Sequence, residues 1–253
     1  MSAVVTGAGS GIGAAVARLL ASRGTPVAVL DVDAGAAERT AAALGPAPAT
    51  AHAVDVSDSA ALESALDDAA EALGPVDALA NVAGVLRTGG VAELTDADWD
   101  FCLATNATGV MHACRAVARR WRAAPPPGGG AIVTVASNAA GVPRVGMTAY
   151  AASKAAALAV TRCTGLELAA HGVRANIVCP GSTDTPMLSG MDLAADPSAL
   201  VAGTPGSFKL GIPLGRVADP DDIAETVAFL LSDAARHVTL QTLYVDGGAS
   251  LGP

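Results

Sequence analysis

The 253-residue chain is long enough for a substantial hydrophobic core, and its length alone leaves one large domain or two smaller ones open. Hydrophobic residues make up 51% of the chain and aromatic residues only 3%, which is typical of alanine-rich helices packed closely on a sheet. The net charge of −9 provides no basic surface for nucleic acid or an anionic membrane, so we expect neither as a partner.

Metal-binding and targeting signals are not evident in the sequence. The cysteines have no Cys-x-x-Cys spacing and the histidines are scattered, so we expect no metal site. The chain opens with Met1, Ser2 and an apolar strand, without the basic and apolar segments of a secretion signal. Because no uncharged apolar run reaches 18 residues, we expect a cytoplasmic protein.

Short apolar runs alternate with longer helical stretches along the whole chain. Strands separated by helices require parallel crossovers, so the pattern predicts a single doubly wound Rossmann-type α/β domain over residues 1–253, with a seven-stranded parallel sheet and helices on both faces. Residues 183–213 break the alternation with glycine, proline and methionine, which predicts a substrate loop. The predicted strands are Ala3–Thr6, Val27–Asp31, His52–Asp55, Val76–Asn81, Ala131–Ala136, Arg174–Cys179 and Thr242–Val245.

A glycine-rich turn stands between the first strand and the first helix. Glycines allow a tight turn and close backbone approach, and the helix N-terminus offers free N–H groups to a pyrophosphate. The strand–turn–helix context makes a dinucleotide site a better interpretation than a structural turn. The predicted phosphate-binding residues are Gly7, Ser10, Gly11, Ile12 and Gly13.

Two aspartates follow the next strands. Asp31 ends the second strand, where a carboxylate accepts hydrogen bonds from the adenosine ribose hydroxyls and repels the 2′-phosphate of NADP, so NAD is the predicted cofactor. The alternative is that Asp31 or Asp33 caps the next helix, which we favour only for Asp33. Asp55 and Val56 are predicted to flank the adenine, with a plain turn as the alternative.

Tyr150 and Lys154 lie four residues apart in a helical segment and therefore project from one face. A lysine charge ~4 Å from the phenol supplies roughly 4 kcal/mol at an effective dielectric of about 20, or ~3 pKa units. This brings the phenol near working pH as a general base. Ser137, at the end of the fifth strand, is predicted to bind the substrate oxygen, and Asn106 to order a water or the lysine. Taken singly, each has a structural alternative as a core, cap or turn residue.

These residues resemble the short-chain dehydrogenase/reductase pattern in its usual order over nearly the whole chain. The glycine turn, Asn106, Ser137 and Tyr150-x-x-x-Lys154 carry the resemblance, together with Asn81-Val82-Ala83-Gly84 and Pro180-Gly181. Val82 departs from the second asparagine of the usual Asn-Asn-Ala-Gly motif. The resemblance implies a symmetric homotetramer and adds cofactor contacts from Asn81, Ala83, Gly84, Tyr150, Lys154, Pro180, Gly181 and Thr183.

A narrower resemblance concerns the substrate. The segments at 84–87, 137–147, 181–187, 208–215 and 237–240 are similar to 2,3-dihydro-2,3-dihydroxybenzoate dehydrogenases of catechol-siderophore biosynthesis. This implies that NAD oxidises a small cyclohexadiene hydroxy acid to an aromatic product. Thr88 stands where those enzymes often carry a larger apolar residue, so the amino analogue 2,3-dihydro-3-hydroxyanthranilate, which gives 3-hydroxyanthranilate, is a second candidate substrate.

The expected substrate residues surround the turn before Tyr150. Arg144 is expected to bind the substrate carboxylate, with a solvated loop arginine as the alternative, and Gly146 leaves room for the ring. Leu86, Met147 and Met187 are expected to form apolar walls beside Ser137 and Tyr150, with core packing as the alternative for each. Two other functions stay open: a generic ketoreductase acting on carrier-bound 3-oxoacyl groups, and a catalytically silent nucleotide-binding scaffold.

Overall fold

The structure, a computed structural model, describes residues 1–190 and 197–251. Its strands are β1 (Ser2–Thr6), β2 (Val27–Asp31), β3 (Ala49–Ala53), β4 (Val76–Asn81), β5 (Ala131–Val135), β6 (Arg174–Pro180) and β7 (Thr242–Val245). They form one seven-stranded sheet in the order β3-β2-β1-β4-β5-β6-β7, and every neighbouring pair is parallel. The predicted fold class is confirmed.

The strands read as continuous apolar runs because both faces of the sheet are covered. Adjacent strand residues alternate between two core clusters, with Val5 in one and Val4 in the other. The long helices are α1 (Gly11–Ser22), α2 (Ala34–Ala42), α3 (Ser59–Leu73), α4 (Asp96–Leu103), α5 (Gly109–Ala123), α6 (Thr148–Leu168) and α9 (Pro220–Leu231), and α7 (Pro186–Ser189) and α8 (Pro197–Ala202) are short. Helices α1 and α9 contribute to one cluster, and α3, α5 and α6 to the other.

The prediction of β3 at His52–Asp55 was wrong. The strand runs from Ala49 to Ala53, because its register pairs Val27 with Ala49 and Asp31 with Ala53. It lies at the edge of the sheet and is only half-buried, so its alanines and threonine show no apolar run in the sequence. Asp55 therefore follows the strand and lies outside it.

The chain reverses its winding between β1 and β4, which are neighbours in the sheet although two strands separate them in sequence. Open α/β sheets bind ligands at such a switch point, outside the carboxyl ends of the strands. None of the described helices combines the length and apolar character needed to cross a bilayer.

Candidate active site

A cavity of about 1030 Å³ opens at the carboxyl ends of the central strands. It contains most of the predicted site residues and joins the glycine turn to the Tyr150 region. The predicted residues that line it are Gly7, Ser10, Gly11, Ile12, Gly13, Asp31, Asp55, Val56, Ala83, Gly84, Leu86, Ser137, Arg144, Gly146, Met147, Tyr150, Lys154, Pro180, Gly181, Thr183 and Met187.

The glycine turn is closely packed at its first and last glycines. A Cβ on Gly13 would lie 2.1 Å from the Gly7 carbonyl oxygen, and one on Gly7 would lie 2.6 Å from Ala83 Cα. Gly7 also has a φ of +66°, which favours glycine. Helix α1 begins at Gly11, so its first N–H groups have no partner within the helix. The turn therefore provides the close, positive backbone surface that a pyrophosphate requires.

Asp31 lies at the rim of this turn and is half-buried. Its Oδ2 accepts a hydrogen bond from Gly9 N at 2.8 Å, and its Oδ1 accepts one from Asp33 N at 3.0 Å. Asp33 caps α2, as predicted, by accepting a hydrogen bond from Ala36 N at 3.0 Å. Asp31 is thus fixed beside the phosphate-binding turn, with its carboxylate lining the cavity.

Asp55 and Val56 line the cavity beyond Asp31. Asp55 Oδ1 accepts hydrogen bonds from Ser57 N at 2.8 Å and Ser57 Oγ at 2.7 Å, so the turn role considered from the sequence is present. Val56 packs against Gly109, where an added Cβ would lie 2.5 Å from Val56 Cγ2. Both residues therefore have structural contacts in addition to their place in the cavity wall.

Tyr150, Lys154 and Ser137 meet at the inner end of the cavity. Lys154 Nζ lies 5.9 Å from the centre of the Tyr150 ring and donates a hydrogen bond to Val135 O at 3.0 Å. Ser137 lies close enough to the Tyr150 phenol to lower its pKa. All three side chains are buried. The spacing on α6 and the carboxyl end of β5 thus bring together the trio predicted from the sequence.

Burial governs the protonation of this trio. It raises the pKa of Tyr150, and the Ser137 hydrogen bond and the Arg144 charge partly offset the rise. Burial also lowers the pKa of Lys154 to about 8. From the sequence we expect the Lys154 charge to lower the Tyr150 pKa, whereas in the structure the lowering comes from Ser137 and Arg144. The phenol is weakly acidic because it is desolvated.

Asn106 occupies a π-helical turn at 104–108 that joins α4 to α5. Its Oδ1 accepts a hydrogen bond from Val85 N at 2.8 Å, and its Nδ2 donates to Val85 O and to Ser153 Oγ, both at 2.9 Å. A Cβ on Gly84 would lie 3.0 Å from Lys154 Nζ and 3.2 Å from Asn106 Oδ1. Asn106 therefore lies behind Gly84 and braces the loop after β4. Such single π turns are frequent at functional sites.

The predicted cofactor contact Asn81 faces away from the cavity. Its Nδ2 donates hydrogen bonds to Thr134 Oγ1 at 3.2 Å and Cys114 Sγ at 3.6 Å, so the side chain links β4 to β5 and α5. The following backbone is held differently: Val82 N and Ala83 N donate to Thr6 Oγ1 at 3.1 and 3.2 Å. The loop after β4 is thereby fixed against the glycine turn.

Arg144 lies beside the trio of Ser137, Tyr150 and Lys154. Its Nη2 donates a hydrogen bond to Asn138 Oδ1 at 2.7 Å, and burial lowers its pKa. The turn that carries it is anchored by the hydrogen bond from Gly89 N to Gly146 O at 2.9 Å. The expected apolar residues Leu86, Met147 and Met187 line the same part of the cavity.

Several lining residues were not predicted. They include Asn138, Ser182, Thr185 and Lys209, and Thr88 also lies in the wall. One signal was available in the sequence: the chain has only two lysines, Lys154 and Lys209, and both line this cavity.

A glycine turn suited to binding a dinucleotide shares one cavity with a Ser–Tyr–Lys trio. This combination defines a nicotinamide-dependent oxidoreductase. The family described as enoyl-(acyl carrier protein) reductase matches residues 7–250. The chain is 46% identical to 2,3-dihydro-2,3-dihydroxybenzoate dehydrogenase of Bacillus subtilis (strain 168), covering 99% of this chain and 96% of that one. It is 42% identical to the enzyme of the same name from Escherichia coli (strain K12), covering 98% and 96%.

A solved structure has a similar fold. A 3-ketoacyl-(acyl-carrier-protein) reductase from Brucella melitensis complexed with NADH has a TM-score of 0.85 and 32% identity, covering 98% of each chain. The chain belongs to the short-chain dehydrogenase/reductase family. The predictions of that family and of an NAD-dependent short-chain dehydrogenase are confirmed.

Proposed function

We propose that the protein oxidises 2,3-dihydro-2,3-dihydroxybenzoate to 2,3-dihydroxybenzoate with NAD, in siderophore or related secondary metabolism. The observation that carries the proposal is the half-buried Arg144 in the cavity that also holds Tyr150 and Ser137. A cation next to the proton-transfer residue suits a substrate with its carboxylate close to the reacting alcohol. The two bacterial relatives that carry this enzyme name give independent support.

The proposed chemistry uses each residue of the trio. NAD, when bound, accepts the hydride from the alcohol carbon. Tyr150 takes the hydroxyl proton, Ser137 donates a hydrogen bond to the substrate oxygen, and Lys154 contributes positive charge behind the phenol. The product ketone has one tautomer that is an aromatic phenol, so oxidation is strongly downhill. Arg144 holds the carboxylate while Leu86, Met147 and Met187 contact the ring, and Gly146 leaves space beside it.

The proposed cofactor site extends along the cavity from the glycine turn to Tyr150. Gly7, Ser10, Gly11, Ile12 and Gly13 bind the pyrophosphate, and Asp31 binds the adenosine ribose. Asp55 and Val56 flank the adenine. The loop after β4 contributes Ala83 and Gly84, and Asn81 acts through the position of that loop. Tyr150 and Lys154 face the nicotinamide ribose, and Pro180, Gly181 and Thr183 the nicotinamide. We propose residues 183–213 as the substrate loop, of which residues 191–196 lie outside the described part of the chain.

The amino analogue, 2,3-dihydro-3-hydroxyanthranilate, is the second candidate because Thr88 lines the cavity near the expected ring position. A threonine hydroxyl accepts a hydrogen bond from an amine, which a larger apolar residue cannot do. An NAD-linked assay of both ring acids, with identification of the aromatic product by mass, tests the proposal. A 3-oxoacyl thioester serves as the alternative substrate. Turnover of the thioester with neither ring acid oxidised would overturn the proposal in favour of a ketoreductase, and no turnover at all would favour a silent scaffold.

We also propose a homotetramer and a cytoplasmic location. Large apolar side chains are exposed on two helices, Leu166 on α6 at 61% and Phe229 on α9 at 41%, which suits burial against further copies. Light scattering on the purified protein measures the assembly, and cell fractionation tests the location. A monomer at micromolar concentration would contradict the tetramer.

A further inference from the structure

Lys209 shares the active-site cavity with Arg144 but has no role in the chemistry described above. The sequence has 15 lysine and arginine residues, and all except Lys154 and Lys209 are arginines. Lysine is a compact charge on a flexible stem that reaches a point ligand, whereas arginine offers a planar fork. The position of Lys209 in the cavity wall makes it a candidate cation for binding a ligand.

The backbone turns Lys209 inward. Thr204 N donates a hydrogen bond to Lys209 O at 2.8 Å, and Lys209 N donates to Thr204 O at 3.1 Å, so the turn is closed on both sides. Its penultimate residue, Phe208, has a φ of +55°, an unfavourable conformation for a bulky residue. The phenyl ring is 80% exposed while Lys209 is half-buried. This reversal of the usual preference indicates that the turn is shaped to present the lysine.

The side chain of Lys209 points to the carboxyl end of β6. Its Nζ donates a hydrogen bond to Ser182 Oγ at 3.1 Å. The neighbouring backbone approaches the Arg144 turn, where Val145 N donates to Ser207 O at 3.4 Å. Burial and the Arg144 charge both lower the pKa of Lys209. The two cations therefore lie on adjoining segments and face a common space.

Neither cation forms a direct ion pair within the part of the chain that the structure describes, although the Asp246 charge acts on Arg144, to which Asn138 links it. The ion pairs of residues 1–190 and 197–251 involve other arginines and the N-terminus. Two like charges in one partly desolvated cavity are unfavourable unless an anion joins them. The cavity is thus prepared for a ligand that carries a negative charge near Arg144.

We propose that Lys209 is a second cationic ligand for the substrate carboxylate, binding it together with Arg144. Arg144 provides the planar, orienting contact and Lys209 a point charge from the substrate loop. The choice of ring acid rests on the proposed function, whereas the recognition of a ring carboxylate does not. Because Lys209 lies two residues after Ser207, which contacts Val145, carboxylate binding also holds residues 207–209 against the Arg144 turn.

The experiment compares Lys209→Met, which keeps the aliphatic stem, with Lys209→Arg, which keeps the charge. Binding of 2,3-dihydroxybenzoate and of catechol, which lacks the carboxylate, is titrated against each enzyme saturated with NADH. Steady-state oxidation of the cyclohexadiene acid is measured in parallel. Arg87→Met is the matched control: Arg87 lines the same cavity, but its charge is already paired with Asp98 at 3.3 Å and stacks on Phe101 at 4.3 Å.

We expect Lys209→Met to weaken 2,3-dihydroxybenzoate binding by about 10-fold, the scale of one charge-assisted hydrogen bond, and to leave catechol binding within about twofold. Lys209→Arg should recover most of the lost affinity. Arg87→Met should keep the wild-type ratio of the affinities for 2,3-dihydroxybenzoate and catechol. An unchanged ratio in Lys209→Met, or a loss confined to NADH affinity, would overturn the proposal. If wild-type enzyme oxidises no ring acid yet shows the Lys209-dependent ratio, the proposed function fails and the carboxylate site stands.

Discussion

The Arg144 guanidinium donates a hydrogen bond from Nη2 to Asn138 Oδ1 at 2.7 Å, and the Asn138 amide donates in turn to Asp246 Oδ2 at 3.1 Å. Asp246 follows β7 and also accepts a hydrogen bond from Ser250 Oγ. Asn138 is buried, so its amide has one orientation that satisfies both neighbours. The turn before Tyr150 is thereby tied to the C-terminal segment, because Asn138 links Arg144 to Asp246, 108 positions further along the chain.

Asn138→Ala should release Arg144 without removing it. We expect KM for the ring acid to rise by roughly 10-fold with a smaller change in kcat, because the arginine must then be ordered by the substrate. Oxidation of a neutral cyclic alcohol by the same variant is the control, and it should match wild type within about twofold. Equal losses on both substrates would show that Asn138 supports the fold of the site and not the direction of Arg144.

Arg144 should also affect the pH dependence of the reaction. Tyr150 must be deprotonated to accept the alcohol proton, and the Arg144 charge lowers its pKa against the rise caused by burial. Removing that charge in Arg144→Met therefore raises the pKa and moves the rising limb of kcat/KM to higher pH. The limb is measured with a neutral alcohol, so that carboxylate binding does not contribute. Arg144→Lys keeps the charge, so the rising limb of its kcat/KM profile should stay close to that of wild type. If the limb does not move in Arg144→Met, the Arg144 charge does not control the Tyr150 pKa.

Tyr150→Phe tests the proposed proton-transfer residue itself. The phenol is buried beside Ser137, and phenylalanine fills the same volume without the hydroxyl. Turnover should fall by about 100-fold or more, the usual scale for loss of a general base, while NADH affinity stays within about threefold. Near-normal turnover in the purified variant would mean that another group moves the proton.

Asp31 should determine the choice between NAD and NADP. Its carboxylate is fixed by Gly9 N and Asp33 N, so it cannot move away from a 2′-phosphate at low cost. We expect the kcat/KM of wild type to be about 100-fold or more higher with NAD than with NADP. Asp31→Ala should reduce this preference, mainly by weakening NAD binding. Comparable use of both cofactors by the wild-type enzyme would remove Asp31 from the ribose site.

The sequence predicted those parts of the site that depend on local geometry. The turn at Gly7–Gly13 is one continuous run of residues, and Tyr150 and Lys154 lie on one helix, so the proximity within each group follows from local turn and helix geometry. Buried strands such as β4 were predicted with their observed bounds because both faces are covered. The predicted range of the edge strand β3 was displaced along the sequence, since half-exposed alanines leave no periodic signal.

The remaining parts of the site depend on contacts between distant segments. The Asn138–Asp246 hydrogen bond joins residues 108 positions apart, and the inward turn of Lys209 depends on the closure at Thr204. The group that lowers the Tyr150 pKa is another example. The sequence spacing favoured Lys154, but in the structure the Lys154 ammonium donates its hydrogen bond to Val135 O. No propensity or period in a sequence specifies which way a buried side chain turns.

Gly13→Ala should abolish dinucleotide binding by distorting the phosphate-binding turn. The added Cβ would lie 2.1 Å from the Gly7 carbonyl oxygen and 2.7 Å from its carbon, and both are backbone atoms that cannot rotate away. Relief requires that the turn move, yet Gly7 is itself packed against Ala83, so movement spreads to the loop after β4. We expect NADH affinity to fall by at least about 100-fold, the scale at which a displacement of 1 Å disturbs a positioned site.

The control must separate distortion of the turn from the general effect of replacing glycine. Gly128 has no heavy atom within 4 Å of an added Cβ and lies in the surface loop after α5, so Gly128→Ala should bind NADH as wild type does. Thermal unfolding of both variants shows how far the strain spreads: because the collision involves β1, α1 and the β4 loop, Gly13→Ala should also lower Tm. An alanine at 13 that leaves NADH affinity within about threefold would mean that the turn does not hold the pyrophosphate.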